Sequence, residues 1–298
     1  MGVSPTGWAA TWIRPLAIAT LATNIMIVVT GGVVRLTASG LGCPTWPRCT
    51  EESFVPHGAL GIHGAIEFGN RMVTFLLAAV AIATFLAAWR YGRPSLTRLA
   101  IFLALGVPTQ ALIGGITVLT DLNPWIVAFH LLVSLAMIGV SVVLLCRIDQ
   151  GDGPVRSLVP APVTWLVRSV FVTGWVVLYV GTVVTGSGPH AGDASAPRNG
   201  LDPRALSQLH TDVVFLLLGL TLATVLVLRA VAAPQPTYRA AVVLLGVELG
   251  QGLVGFVQYF TDLPVALVTL HLLGASLTSA ALTWLLLGVR RRDVSRNG

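Results

Sequence analysis

The chain has 298 residues, of which 55% are hydrophobic and 10% charged, and its mean hydropathy is +0.83. Soluble domains carry roughly 25% charged residues, so a soluble globular enzyme is excluded. The formal charge of +6 and the pI of about 10.0 do not indicate nucleic acid, because every basic residue is arginine and the arginines sit in short clusters between apolar runs, the pattern of membrane topology signals.

Apolar runs long enough to cross a ~30 Å hydrocarbon core as helices occur at 15–35, 62–89, 98–119, 124–146, 164–186, 204–230, 239–260 and 264–289. The first is too long, and too regularly followed by others, to be a cleaved signal peptide, and is read as a retained span. Arg14, then Arg90, Arg93 and Arg98, then Arg147, Arg156 and Arg168, then Arg229 and Arg239, then Arg290, Arg291 and Arg292 fall on alternate segments. The positive-inside rule makes that side, with both termini, cytoplasmic, as in a multi-pass protein of a bacterial-type plasma membrane. The opposite loops carry Glu51, Glu52, Asp121, Asp193, Asp202 and Asp262, with Arg48, Arg198 and Arg204 as a basic minority.

Two outer loops have appreciable length, about 37–61 and 187–203. The first holds Cys43 and Cys49 with two prolines between them. On the extracytoplasmic side this suits a local disulfide, and the spacing is not the Cys-x-x-Cys of a metal site. Cys146, at the cytoplasmic end of the fourth span, reads as a buried thiol.

The chain also repeats itself. A shift of 141 residues lays Gln110-Ala-Leu-Ile-Gly114 over Gln251-Gly-Leu-Val-Gly255, Thr120-Asp121-Leu122 over Thr261-Asp262-Leu263, and His130-Leu131-Leu132 over His271-Leu272-Leu273. A shift of 140 lays the run from Asn70 through Phe75 over the run from His210 through Phe215. The expected fold is all-α and polytopic, with eight transmembrane helices forming two tandem four-helix bundles. Four spans per unit keep both units in one orientation, so they are expected to be related by a pseudo-twofold axis along the membrane normal. The units are 1–146 and 164–298, the latter ending in a basic tail, joined by a cytoplasmic linker at 147–163.

Ionisable residues within spans are costly and mark function. His130, His210 and His271 each lie six or seven residues inside a proline-marked helix start, at Pro124, Pro203 and Pro264, a shared depth of roughly 10 Å at 1.5 Å per residue. In the second unit His210 and His271 are placed to ligate one haem iron axially within a bundle; core histidines bonded to a neighbouring carbonyl or hydroxyl are the alternative. In the first unit Asn70 stands where His210 would be, and His63, Glu67 and Asn70 share one helix face. For Glu67 and Arg71 the alternative is an i, i+4 salt bridge. Glu248 and Asp212 also fall within spans and are given no role.

With these residues in place, the chain resembles the haem A synthase family, membrane oxidoreductases that convert haem O to haem A. The resemblance spans the whole chain: eight spans in two repeats, the loop Gly40-Leu-Gly-Cys43-Pro-Thr-Trp-Pro-Arg-Cys49, Ile66-Glu67-Phe68 on the second helix, and histidines on helices four, six and eight. It implies that His210 and His271 bind a haem b. It implies that the first unit receives haem O with His130 on the iron, and that Glu67 takes part in oxidising a porphyrin methyl to a formyl group through a hydroxymethyl intermediate. The family's Glu-x-x-His-Arg reads here Glu67-Phe-Gly-Asn70-Arg71, so the second-helix histidine is missing, with His63 the candidate substitute and Arg71 a candidate for pairing with Glu67 or a propionate. Some relatives carry a second cysteine pair in the third outer loop, which here has none. Haem O synthase and oxidase assembly factors are the implied protein partners, membrane lipid the surroundings, and nucleic acid is not expected; the electron acceptor is not specified. Two other classes compete: a dihaem b-type electron-transfer protein acting on quinone, against which stands one histidine per helix, and a transporter built on parallel repeats. Reporter fusions after Arg93 and after Pro197 are expected to report opposite sides of the membrane; equal signals would eliminate the eight-span topology.

Overall fold

The computed structural model describes residues 7–293, so the ends of the two expected units, 1–6 and 294–298, lie outside the described residues. Eight helices, α1 (Trp8–Leu36), α2 (Gly61–Tyr91), α3 (Pro94–Leu119), α4 (Pro124–Ile148), α5 (Ala161–Ser187), α6 (Pro203–Ala230), α7 (Gln235–Phe260) and α8 (Val265–Gly288), replace the eight apolar runs, and each is long and apolar enough to cross a membrane. Proline stands in the first turn of α3, α4, α5, α6 and α7, where the missing N–H has no helical acceptor to lose. Asn123 and Asp202 cap α4 and α6 by accepting from the N–H groups of Trp125 and Arg204, satisfying donors that hydrocarbon would leave bare.

Helices α1 to α4 close a ring in which each packs on its sequence neighbour and α1 packs on α4; α5 to α8 close a second ring in the same way. The rings meet through α4 on α8, α1 on α8 and α4 on α5. Exchanging α1 with α5 and α4 with α8 leaves this set of neighbours unchanged. The largest apolar cluster lies at that seam, joining Val28, Leu135 and Ile138 of the first ring to Val167, Val170, Leu282 and Leu285 of the second. Small residues let the backbones close up there. Ser279 Oγ donates to Leu135 O at 2.7 Å, and a Cβ on Gly139 would stand 3.0 Å from Thr283 Oγ1. Outward-facing apolar side chains cover the rest, including Phe75 at 68% exposure and Phe215 at 66%, which occupy matching positions in the repeat.

The hairpins α3–α4 and α7–α8 have matching backbones. Asp121 and Leu122 adopt φ of 51° and 58°, Asp262 and Leu263 both 57°, a left-handed conformation that costs non-glycine residues on the order of 1 kcal/mol or more each. Each turn is closed by a hydrogen bond, Leu122 N to Thr117 O at 2.8 Å and Leu263 N to Gln258 O at 2.9 Å.

On the other side of the membrane the all-helical architecture carries one small addition. Val155–Ser157 (β1) pairs antiparallel with Arg290–Arg292 (β2), so part of the connection at 147–163 and the basic tail form a two-stranded ribbon. Neither three-residue strand carries an apolar period that would announce it. Beside the ribbon, Asp152 accepts from Arg147 at 2.7 Å and from Arg93 at 3.1 Å. Partial burial pushes its carboxyl up, but the bonded Arg93 guanidinium and the charge of Arg147 outweigh this and hold it below the ordinary aspartate range. A carboxyl lowered on folding contributes stability above its unfolded pKa of about 3.9 and loses it as pH falls through the folded value. Asp152→Asn is therefore expected to lower the unfolding temperature of detergent-purified protein at neutral pH, with the gap to wild type closing below about pH 4; a gap independent of pH would count against the carboxylate as its source.

Candidate functional site

One cavity of about 2360 Å³ runs through both rings. Pockets for a single small ligand occupy roughly 300–1,000 Å³, so this one has room for more than one large group. It is lined by Asn70, Glu67 and His130 of the first ring, by His210, Glu248 and His271 of the second, and by Arg35.

In the second ring α6 and α8 occupy diagonal positions, which puts His210 and His271 on opposite walls of the cavity. Each imidazole packs over a glycine of an adjacent helix. A Cβ on Gly181 (α5) would stand 3.1 Å from His210 Cε1, and one on Gly255 (α7) 3.4 Å from His271 Cε1. Gly114 (α3) serves His130 in the same way at 3.4 Å. The backbone beneath two of the rings is held identically: Gln110 Nε2 donates to His130 O at 3.1 Å, and Gln251 Nε2 to His271 O at 3.0 Å. Nδ1 of His130, His210 and His271 is buried without a hydrogen-bond partner among the described residues. Core histidines normally satisfy their ring nitrogens, which the geometry of His130 and His271 does not do, while His210 lies near the backbone of Val177. Two imidazoles on diagonal helices of a bundle, each with a glycine-made recess, fit axial ligation of one haem iron.

The first ring is built differently. Asn70 lines the cavity opposite Gly31 of α1, and its Oδ1 accepts from Thr30 Oγ1 at 2.7 Å. His63 is not brought to this site. It sits exposed in the first turn of α2, does not line the cavity, and its Nδ1 lies 3.0 Å from Ser39 Oγ. Shared helical spacing put it on the face of Asn70, but that face belongs at this depth to the loop above the bundle.

Glu67 is buried, at 5% exposure, and both carboxylate oxygens are engaged. Oε1 accepts from Arg71 Nη2 at 2.7 Å and Oε2 from the N–H of Cys43 at 2.6 Å. The i, i+4 ion pair is therefore present, and it extends into the outer loop, because Arg71 also donates to the carbonyls of Thr45 at 3.0 Å and Arg48 at 3.1 Å. Cys43 and Cys49 are joined in the expected disulfide. Between them Trp46 lies against Gly115 of α3, where any Cβ would collide with the indole. Trp46, Pro47, Phe54 and Val55 line the cavity, so the loop roofs the first site with apolar side chains while Glu67 and Arg71 fix it to α2.

Arg35 was not singled out from sequence. At the last turn of α1 it lines the cavity and donates from Nε to His190 O at 2.7 Å and from Nη2 to Thr185 O at 2.9 Å, with no carboxylate bonded to it among the described residues. The signal available was topological: it is a basic residue at the end of the first span away from the main arginine clusters. Asp212 is exposed, accepts from Gln208 Nε2 at 2.7 Å, and does not line the cavity.

A family model described as cytochrome oxidase assembly protein, COX15-CtaA, matches residues 14–63 and 61–198. A heme A synthase of Bacillus cereus is 25% identical over 296 residues, covering 94% of each chain. One of Bacillus anthracis has the same identity and coverage. With more than half of its length matched, the chain belongs to the COX15-CtaA family of cytochrome oxidase assembly proteins.

Proposed function

We propose that the chain is a haem A synthase, a membrane oxidoreductase that converts a methyl group of haem O to a formyl group. Its relatives of that name align over nearly the whole chain, but the observation that carries the reading is the inequality of two related sites in one cavity. The second ring offers two histidines on diagonal helices; the first offers one histidine, an amide already bonded to its neighbour, and a carboxylate ion-paired with Arg71 beneath the covering loop.

His210 and His271 hold a resident haem b, with Gly181 and Gly255 keeping the rings in place. Bound there, the haem supplies one-electron redox chemistry. His130 would hold the iron of the substrate haem, and Asn70, committed to Thr30, would add no second imidazole to it. That suits a substrate that enters and leaves. Glu67 stands beside the methyl group and accepts or relays its protons, while the hydrogen bonds from Arg71 and Cys43 fix the carboxylate's direction. The disulfide-closed loop, with Trp46 and Phe54 over the site, keeps bulk water from the reacting edge. Arg35 supplies a positive charge for a propionate. The termini are cytoplasmic and the loop faces outward, so the oxidation takes place in the outer half of the membrane. A haem O synthase would deliver the substrate.

Co-expression with a source of haem O, followed by extraction and chromatography of the haems, tests this directly: haem A is expected from the wild type, and haem O alone would overturn the assignment. Glu67→Gln keeps the shape and removes the charge. It is expected to cut haem A formation about 10²-fold or more while leaving haem b intact, and a wild-type yield would remove Glu67 from the chemistry. His130→Ala is expected to lose haem O binding without loss of haem b. His210→Ala, His271→Ala and the ring-displacing Gly181→Val should each lose the low-spin, six-coordinate haem b spectrum; a full complement in either histidine variant would refute the ligand pair.

A further inference from the structure

Glu248 is a carboxylic acid in the interior of α7 with no cation bonded to it among the described residues. It is 7% exposed and lines the cavity. Its Oε1 accepts from Thr221 Oγ1 of α6 at 2.8 Å, and its Oε2 is buried without a partner. The internal repeat supplies a control. The shift of 141 places Glu248 over Val107, and the shift of 140 places Thr221 over Ala81 and Leu217 over Leu77. In the first ring Leu77, Ala81 and Val107 form a single apolar cluster. The same helix crossing is thus built once from hydrocarbon and once around an acid, so packing does not require the acid. An intramembrane carboxyl with an unsatisfied oxygen is costly enough to need another reason.

Its position suggests that reason. Gly255, against which the His271 ring packs, lies seven residues further along α7, about 10 Å at 1.5 Å per residue. That puts Glu248 beyond the histidine level toward the Arg239 end of the helix, on the wall of the same cavity. The other ionisable groups on the helices packed here are His210, Arg204, Arg229 and the exposed Asp212 on α6, His271 on α8, and Tyr238, Arg239 and Tyr259 on α7; none is hydrogen-bonded to Glu248.

Resting on the haem b assignment above, we propose that Glu248 is the proton partner of that iron. With a haem b bound there, one-electron reduction by an external donor would be matched by uptake of one proton from the solvent at the Glu248 carboxylate, and reoxidation by its release, so that the charge of the site would not change. The test is a redox titration of haem b in purified holoprotein at a series of pH values. The wild-type midpoint is expected to fall with rising pH at up to about 59 mV per unit, the equivalent of one proton per electron. Glu248→Gln is expected to lose that slope with its low-spin spectrum unchanged, and reduction should produce a carboxylic C=O band in infrared difference spectra of the wild type alone. If Glu248→Gln does not fold, the double change Thr221→Ala with Glu248→Val, which installs the first ring's own pair, carries the same expectation. Low-spin haem b with a pH-independent midpoint in the wild type, or an equal slope in the variants, overturns the proposal alone. Purified protein without low-spin haem b overturns the haem b assignment and the proposal together.

Discussion

Hydrocarbon offers no hydrogen-bond partner, and most of what can be read from this molecule depends on that constraint. Polar side chains in the helices are, with few exceptions, paired within the protein: Thr20 with Thr84, Asn24 with the carbonyl of Thr20, Ser279 with the carbonyl of Leu135. Against that background a polar atom left alone stands out. Among the described residues the Nδ1 atoms of three histidines, one oxygen of Glu248 and the Oε1 atoms of Gln110 and Gln258 are alone in this sense, and all six side chains line the same cavity, with Ser95 Oγ, outside it, the seventh such atom. In a soluble protein such atoms would be lost among water-bonded neighbours.

The two rings share one plan and differ where chemistry is wanted. Glycine recesses, glutamine braces and left-handed turns recur, whereas the side chains facing the cavity diverge: Asn70 against His210, Val107 against Glu248, Ala81 against Thr221. Duplication provides two equivalent recesses, and substitution at a few positions gives one a pair of histidines and the other a single histidine with an amide opposite. The long disulfide-closed loop belongs to the first ring alone, where it covers the cavity with Trp46 and Pro47.

Most of this plan was legible in the sequence because the membrane enforces simple rules. Span number followed from hydropathy, helix starts from prolines, and the site histidines from the rarity of imidazole in apolar runs. Shared spacing also made a pair of Glu67 and Arg71 foreseeable. What escaped depends on chain elements whose relation is not periodic. His63 has the right helical spacing, yet it lies in the first turn of α2 where Ser39 of the loop claims its ring. The grip of Glu67 on the N–H of Cys43 joins positions 24 apart through a loop that carries no regular pattern. The ribbon of β1 and β2 joins segments that both read as polar connections.

The matched outer turns act as rulers. In both hairpins the glycine that receives a ring and the histidine that fills it are separated by the same stretch, from Gly114 to His130 and from Gly255 to His271, with the strained pair at Asp121-Leu122 or Asp262-Leu263 between them. A helix turns about 100° per residue, so one residue gained or lost in either turn would swing the following histidine from the cavity toward lipid. Length variation among sequences of this architecture is thus expected to be strongly asymmetric across the bilayer, tolerated in connections such as 149–160 and suppressed in these two hairpins. Alignment gaps, as much as residue identities, then become a record of where the cavity-facing geometry is set.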